Sequence, residues 1–486
     1  MAVSRPTARR SRPLALGLLL AGLPLAAAEP TAAPATAAAP AFDFAALDKA
    51  FDADLTAGRA PGGVVAVVSG DKIVWQKAFG VASLETQEPV KPGMLFQIGS
   101  VTKTMTAAAL LSLAAEGAVE LNAPIGKYLP GLAPKLAALT LHQLLSQTSG
   151  LTDVAAEGGP PDDNALAAAA THEWTDELRA LPPGRSFSYS NPGYALAGRV
   201  LEKMTGAPFA DVMIDRIFSP LGLGHSTLRS TMALTYPHAV GHTTDATGKL
   251  RVARPASDDG RFRPAGSATW SNAEDLARFA TALVNEGRLD GNVLLPTAIV
   301  AQMETPRADI PTLFTEGRYG YGLFQMRDHG LTVYEHPGTA GGFSALIRLV
   351  PERHFALVAV ANVDGLRFTR AVEAAMDLLA PAPPPAPPRE ALTVPFEERV
   401  RYIGTYRNRF AIEIAINKEE QLVLRRFGIE LVMTKVGDGL FSLKGPDGQP
   451  QPGLLVLHMG SDGRADSVQM FLWTFPRVAP LASVRP

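Results

Sequence analysis

Cysteine is absent from all 486 residues. That excludes disulfide staples, a thiolate metal site and a cysteine nucleophile, and it leaves folding to hydrophobic burial. Neither sign of charge dominates: 45 Lys and Arg stand against 47 Asp and Glu, a formal net charge of −2. No basic footprint for nucleic acid and no charged interaction tail follows from that balance. The glycines are scattered and form no phosphate loop, and no Gly-x-Ser-x-Gly occurs, so a nucleophile elbow is unsupported. What the chain does have is apolar residues, at 47% against 19% charged, enough for a sizeable core. Its length suggests two or three domains.

Residues 1–28 read as a signal peptide. Arg5, Arg9, Arg10 and Arg12 precede an apolar stretch from Leu14 to Leu25, and Ala26-Ala27-Ala28 offers a small-residue cleavage site. The stretch is too short for a membrane span, so no stable membrane anchor is expected after cleavage. Cleavage removes four arginines and no acid, taking the formal charge from −2 to −6. The expected location is a bacterial periplasm or the exterior.

Two composition breaks divide the rest. Residues 29–41 are a Pro/Ala linker, and 381–394 begin inside the Pro-rich run APAPPPAPP. Between them, 42–380, strand-like runs lie at both ends and helical runs in the middle. Terminal strands pairing in one sheet beside a helical lobe give an α+β fold. Beyond the second break, 395–480 hold short strand-like runs such as FAIEIAIN and LLVLHMG, expected to form a small all-β barrel or sandwich. The alternation in FAIEIAIN is explained by a core without any bound ligand.

Within 42–380, VTKTMTAAALLSLAA (101–115) carries one charge, Lys103, in an otherwise apolar or small-residue helix. A helix apolar nearly all round is buried, so Lys103 is desolvated and its pKa is expected to fall. Ser100 lies three residues earlier, on the same face, beside the unpaired N–H groups of a helix start. Nucleophile, base and part of an oxyanion hole thus fit in four residues. Tyr189-Ser190-Asn191 adds a phenol and an amide on one side of an extended segment. His336-Pro337-Gly338, followed by Thr339, ends a strand where glycine allows close backbone approach. Helices are expected from Pro192 to a Gly206 cap and after a Ser271–Glu274 capping box.

Each motif has a chance double. Ser69-Gly70-Asp71-Lys72 falls on a predicted hairpin turn, Tyr406-Arg407-Asn408 and His458-Met459-Gly460 on the C-terminal strands. Order and surroundings separate the sets. His225, His238 and His242 lack a local carboxylate pattern and read as loop residues, so no metal is expected.

With its surroundings, FQIGSVTKTMTAAALLSLAAEGAVELNAPIGKYLP (96–130) resembles the nucleophile region of the β-lactamase-related serine hydrolases. That family includes class C β-lactamases, D,D-peptidases and family VIII-like esterases. TLHQLLSQTSGL (140–151), FSYSNPGYALAGRVLEKMTG (187–206), AGSATWSNAEDLARF (265–279) and HPGTAGGF (336–343) are similar to its later blocks, in order. Residues 395–480 resemble the lipocalin-like domain that often follows. The resemblance implies a β-lactamase/transpeptidase-like fold and an acyl-enzyme on Ser100, without metal or cofactor. It implies Lys103 and Tyr189 as the other catalytic groups, coupled in titration. Asn191, His336, Gly338 and Thr339 become substrate-binding, with the N–H groups of Ser100 and Thr339 as the oxyanion hole.

Two departures stand out. His336 occupies a place where β-lactamases usually carry lysine, and Pro337 replaces a hydroxyl residue. Both weaken carboxylate recognition, favouring an esterase or peptidase (D-aminopeptidase or D,D-carboxypeptidase type) over efficient β-lactam hydrolysis. The expected partner is a small-molecule or peptide substrate with an ester or amide bond. The rival from another class is a non-catalytic peptidoglycan-binding or penicillin-sensing protein.

Overall fold

The computed structural model describes residues 42–153, 162–172, 174–253, 264–312, 317–384 and 389–479. The expected signal peptide at 1–28, the expected linker at 29–41 and residues 385–388 of the Pro-rich spacer lie outside them.

The first strands follow the hairpin expectation: β1 (Gly62–Ser69) and β2 (Lys72–Gly80) are joined at Gly70. Six more strands come from far along the chain: β3 (Ala308–Asp309), β4 (Arg318–Tyr319), β5 (Phe324–Asp328), β6 (Leu331–Ala340), β7 (Phe343–Val350) and β8 (Phe355–Ala361). They form one antiparallel sheet in the order β2-β1-β8-β7-β6-β5-β4-β3, so terminal strands do meet across a helical excursion. Strand β1 is buried on both faces. Val64, Ala66 and Val68 join one core with the central helices, while Val65 and Val67 join a second. That second core is closed by α1 (Ala45–Ala57) and α6 (Thr369–Asp377), with Phe51 stacked on Phe368 at 5.8 Å.

Helix α2 (Thr102–Ala115) starts after Ser100 and not at it, because Gly99–Val101 form a 3₁₀ turn first. Ser100 sits inside that turn and caps nothing. Helix α3 (Leu141–Leu145) opens on a capping box between Thr140 and Gln143. Helix α4 (Asn191–Thr205) is capped by the Ser190 hydroxyl, which accepts from Gly193 N at 3.2 Å, and ends on left-handed Gly206. Helix α5 (Ala273–Val284) corrects the Ser271 capping box. Asn272 is the cap, accepting from Asp275 N at 2.8 Å, while Ser271 Oγ is paired with Ser226 Oγ.

After a short helix α7 (Phe396–Tyr402), eight strands run in sequence order: β9 (Gly404–Arg407), β10 (Ala411–Ile416), β11 (Leu422–Arg426), β12 (Ile429–Gly437), β13 (Leu440–Lys444), β14 (Pro450–Met459), β15 (Ala465–Met470) and β16 (Trp473–Ala479). Pairing of β9 with β16 closes them into a barrel, which leaves no free edge. Tyr406, Ile414, Leu424, Phe441, Leu455 and Phe475 are among the side chains that fill its interior. The fold is therefore β-lactamase/transpeptidase-like, followed by a closed eight-stranded β barrel.

Candidate active site

The 3₁₀ turn before α2 presents the Ser100 hydroxyl, and the first turn of α2 carries Lys103 beneath it. Lys103 is fully buried. Its Nζ lies 3.3 Å from Ser100 Oγ, 2.6 Å from Asn191 Oδ1 and 2.8 Å from the Gly266 carbonyl. Asn191 and Gly266 offer only acceptor oxygens here. A neutral amine satisfies them with its two N–H groups and keeps a lone pair for the serine hydroxyl. Burial supplies that neutrality: it lowers the Lys103 pKa from 10.5 to about 7, against the opposing pull of the Asp153 carboxylate.

Tyr189 comes from the segment leading into α4. Its ring centroid is 4.8 Å from Lys103 Nζ, which itself lies 3.3 Å from Ser100 Oγ. Burial, and next the neighbouring Tyr319, push this phenol well above the usual tyrosine range. It therefore stays protonated at neutral pH. Because Ser190 caps α4, the Asn191 side chain is released from capping and bridges Lys103 and Asp153 instead.

Backbone meets backbone at the third element. A Cβ on Gly99 would lie 2.5 Å from Thr339 N, and one on Gly338 would lie 1.9 Å from the Ile98 carbonyl and 3.1 Å from Ser100 N. Only glycine at both positions lets β6 run against the serine turn, and Gly99 also has φ +51°. The backbone at Thr339 is thereby brought against the Gly99–Ser100 backbone. The Thr339 side chain is exposed there.

His336 is placed differently from a substrate-facing cation. It is 1% exposed. Its Nδ1 is 2.7 Å from the Pro337 carbonyl, so that nitrogen carries the proton, and Nε2 is left to accept from Tyr319 Oη at 3.3 Å. Burial, helped by the Lys103 charge, lowers its pKa to about 3. The ring is neutral and both nitrogens are engaged. Pro337 lies beyond the last β6 residue paired with β5, where its missing N–H interrupts no ladder on that side.

Residues 47–381 match the family model described as Beta-lactamase. The chain belongs to the Beta-lactamase family. Among curated relatives, "Penicillin-binding protein 4" of Amycolatopsis lactamdurans is 32% identical over 324 residues, covering 64% of this chain and 83% of that protein. Among solved structures, SurE is similar with a TM-score of 0.70 at 26% identity, covering 89% of this chain and 98% of that one. A D-stereospecific amidohydrolase from Streptomyces matches with a TM-score of 0.55 at 27% identity, over 68% of this chain and 98% of its own. The family's neighbours are thus hydrolases and penicillin-binding proteins.

Sequence reasoning missed several residues that touch this constellation. Asp153, two residues past the TLHQLLSQTSGL block, accepts from Asn191 Nδ2 at 3.0 Å. Gly266 and Tyr319 supply the carbonyl under Lys103 and the phenol behind His336. Asn408, set aside as part of a chance double, is buried with its Oδ1 3.0 Å from Asp153 N. Of the other doubles, Lys72 is exposed on its hairpin and His458 lies in the barrel.

Proposed function

We propose that this protein is a secreted serine hydrolase that works through an acyl-enzyme on Ser100 and acts on ester or amide bonds. The observation that carries the reading is a fully buried Lys103 amine, with a pKa of about 7, held 3.3 Å from the Ser100 hydroxyl. Ser100 Oγ attacks the substrate carbonyl, and its proton passes to Lys103. The C–O or C–N bond of the leaving group then breaks as the proton is returned to it. Tyr189, which stays protonated, hands its phenolic proton to the leaving group and is reprotonated from Lys103, and it does not act as a standing phenolate base. The backbone N–H groups of Ser100 and Thr339 face the developing oxyanion. Water then attacks the acyl-enzyme and releases the acid.

A neutral His336 offers a substrate carboxylate no cation, which supports an esterase or peptidase over an efficient β-lactamase. Similarity to a D-stereospecific amidohydrolase, and to SurE, which was solved with D-Leu, points to D-configured residues beside the scissile bond. The signal peptide at 1–28 supports export to the periplasm or beyond. The test compares kcat/KM for a p-nitrophenyl ester, a D-amino-acid amide and a chromogenic cephalosporin. The ester and the amide are expected to exceed the cephalosporin at least tenfold. A cephalosporin turned over fastest overturns the substrate reading.

A further inference from the structure

Two turns of the barrel reach the catalytic residues. The β15–β16 turn brings the Leu472 carbonyl to Tyr189 N at 2.7 Å, and Thr474 Oγ1 donates to the Phe187 carbonyl at 2.7 Å. The segment that carries Tyr189 is therefore tied to the barrel's backbone. From the same turn, Trp473 Nε1 donates to Asp153 Oδ2 at 3.2 Å. The β9–β10 turn adds Arg409 Nη1 at 3.4 Å from that oxygen, and Asn408 Oδ1 accepts from Asp153 N at 3.0 Å. Asn408 is itself held, donating to the Thr474 carbonyl at 2.8 Å.

The other oxygen of Asp153 faces the chemistry. Oδ1 accepts from Asn191 N and Asn191 Nδ2, both at 3.0 Å. An amide whose NH₂ is fixed on a carboxylate must turn its carbonyl the opposite way, and that carbonyl accepts from Lys103 at 2.6 Å. A continuous path thus runs from Trp473 and Arg409 through Asp153 and Asn191 to Lys103. Asp153 is 2% exposed, so its charge is little screened.

We infer that Asp153 is a positioning residue for the Lys103–Asn191 pair and that the barrel, through Asn408, Arg409 and Trp473, is a working part of the active site. The inference rests on Ser100 being the acylated hydroxyl. It assigns the barrel a role that its filled interior does not supply. The groups facing Lys103 are Asp153, the phenols of Tyr189 and Tyr194, and the neutral ring of His336. Those facing Asp153 from the barrel are Arg409 and Trp473.

Opposite charges on one path give opposite effects. Asp153→Asn removes the anion that favours protonated Lys103, so amine becomes available at lower pH. Arg409→Met removes the cation that offsets this anion, so protonated Lys103 persists to higher pH. The experiment measures the second-order rate of fluorophosphonate labelling of Ser100 from pH 5 to 9 in the full chain. Relative to wild type, the acid limb is expected to move down by about one unit in Asp153→Asn. It is expected to move up by about half a unit in Arg409→Met. Trp473→Phe, which keeps an aromatic ring but no donor, is expected to label about tenfold more slowly. Arg409 is half exposed and its variant is expected to fold, which thermal melting checks, so the test survives a misfolded Asp153→Asn. Superimposable profiles for wild type, Arg409→Met and Trp473→Phe overturn the inference. An unlabelled wild type instead overturns the acyl-enzyme reading on which it rests.

Discussion

Replacing Lys103 by methionine tests whether the amine is neutral in the fold. The two side chains are similar in length, and the site is fully buried. An unfolded lysine titrates near 10.5 and the folded one near 7. Between those values the unfolded chain binds the extra proton, so stability must rise with pH across that window. The penalty is complete below pH 7 and fades as pH approaches 10.5. Linkage with those two values gives a penalty of about 4.5 kcal/mol at pH 6 and about 2 kcal/mol at pH 9. Methionine also strands the Asn191 and Gly266 oxygens, at about 1–3 kcal/mol each, but that cost does not depend on pH. The stability difference between wild type and Lys103→Met, from urea melts, should therefore change by about 2.5 kcal/mol from pH 6 to pH 9, in favour of wild type. A difference that stays flat would mean Lys103 remains charged in the fold. The neutral-amine account would then fail.

Gly338→Ala puts a methyl group 1.9 Å from the Ile98 carbonyl, so β6 must retreat from the serine turn. Losing one oxyanion donor costs on the order of 10²–10³ in rate, and labelling of Ser100 is expected to fall by that factor. Asn272→Ala removes the cap of α5 and should lower stability by about 1 kcal/mol in denaturant melts, with labelling unchanged. His336 has a folded pKa of about 3, so the labelling profile should show one limb near pH 7 from Lys103 and no second limb near pH 6. Deleting residues 389–486 removes the acceptor for Tyr189 N and two donors to Asp153, and should abolish labelling.

The barrel was legible because alternation and turn residues mark its strands, and the sheet because its central strands read as short, continuous apolar runs bounded by turn residues. The serine and lysine were legible because one charge in an apolar helix has few uses. Helix starts were less so. Ser271 and Asn272 are both cap-forming residues, and tertiary pairing of Ser271 with Ser226 decides between them. The role of His336 was hidden for a similar reason. A histidine within a strand reads the same whether it faces substrate or a buried Tyr319. Asp153 and Asn408 were invisible to local pattern because their partners lie about 255 residues apart in the chain. A turn asparagine ordinarily bonds its own backbone, and only the docking of the barrel sends this one elsewhere.

Intact-protein mass spectrometry after fluorophosphonate treatment tests the central claim most directly, with Ser100→Ala alongside. The account predicts one adduct on wild type, located to the peptide containing Ser100, and none on the variant. An adduct that persists in Ser100→Ala, or its absence from folded wild type, would contradict it.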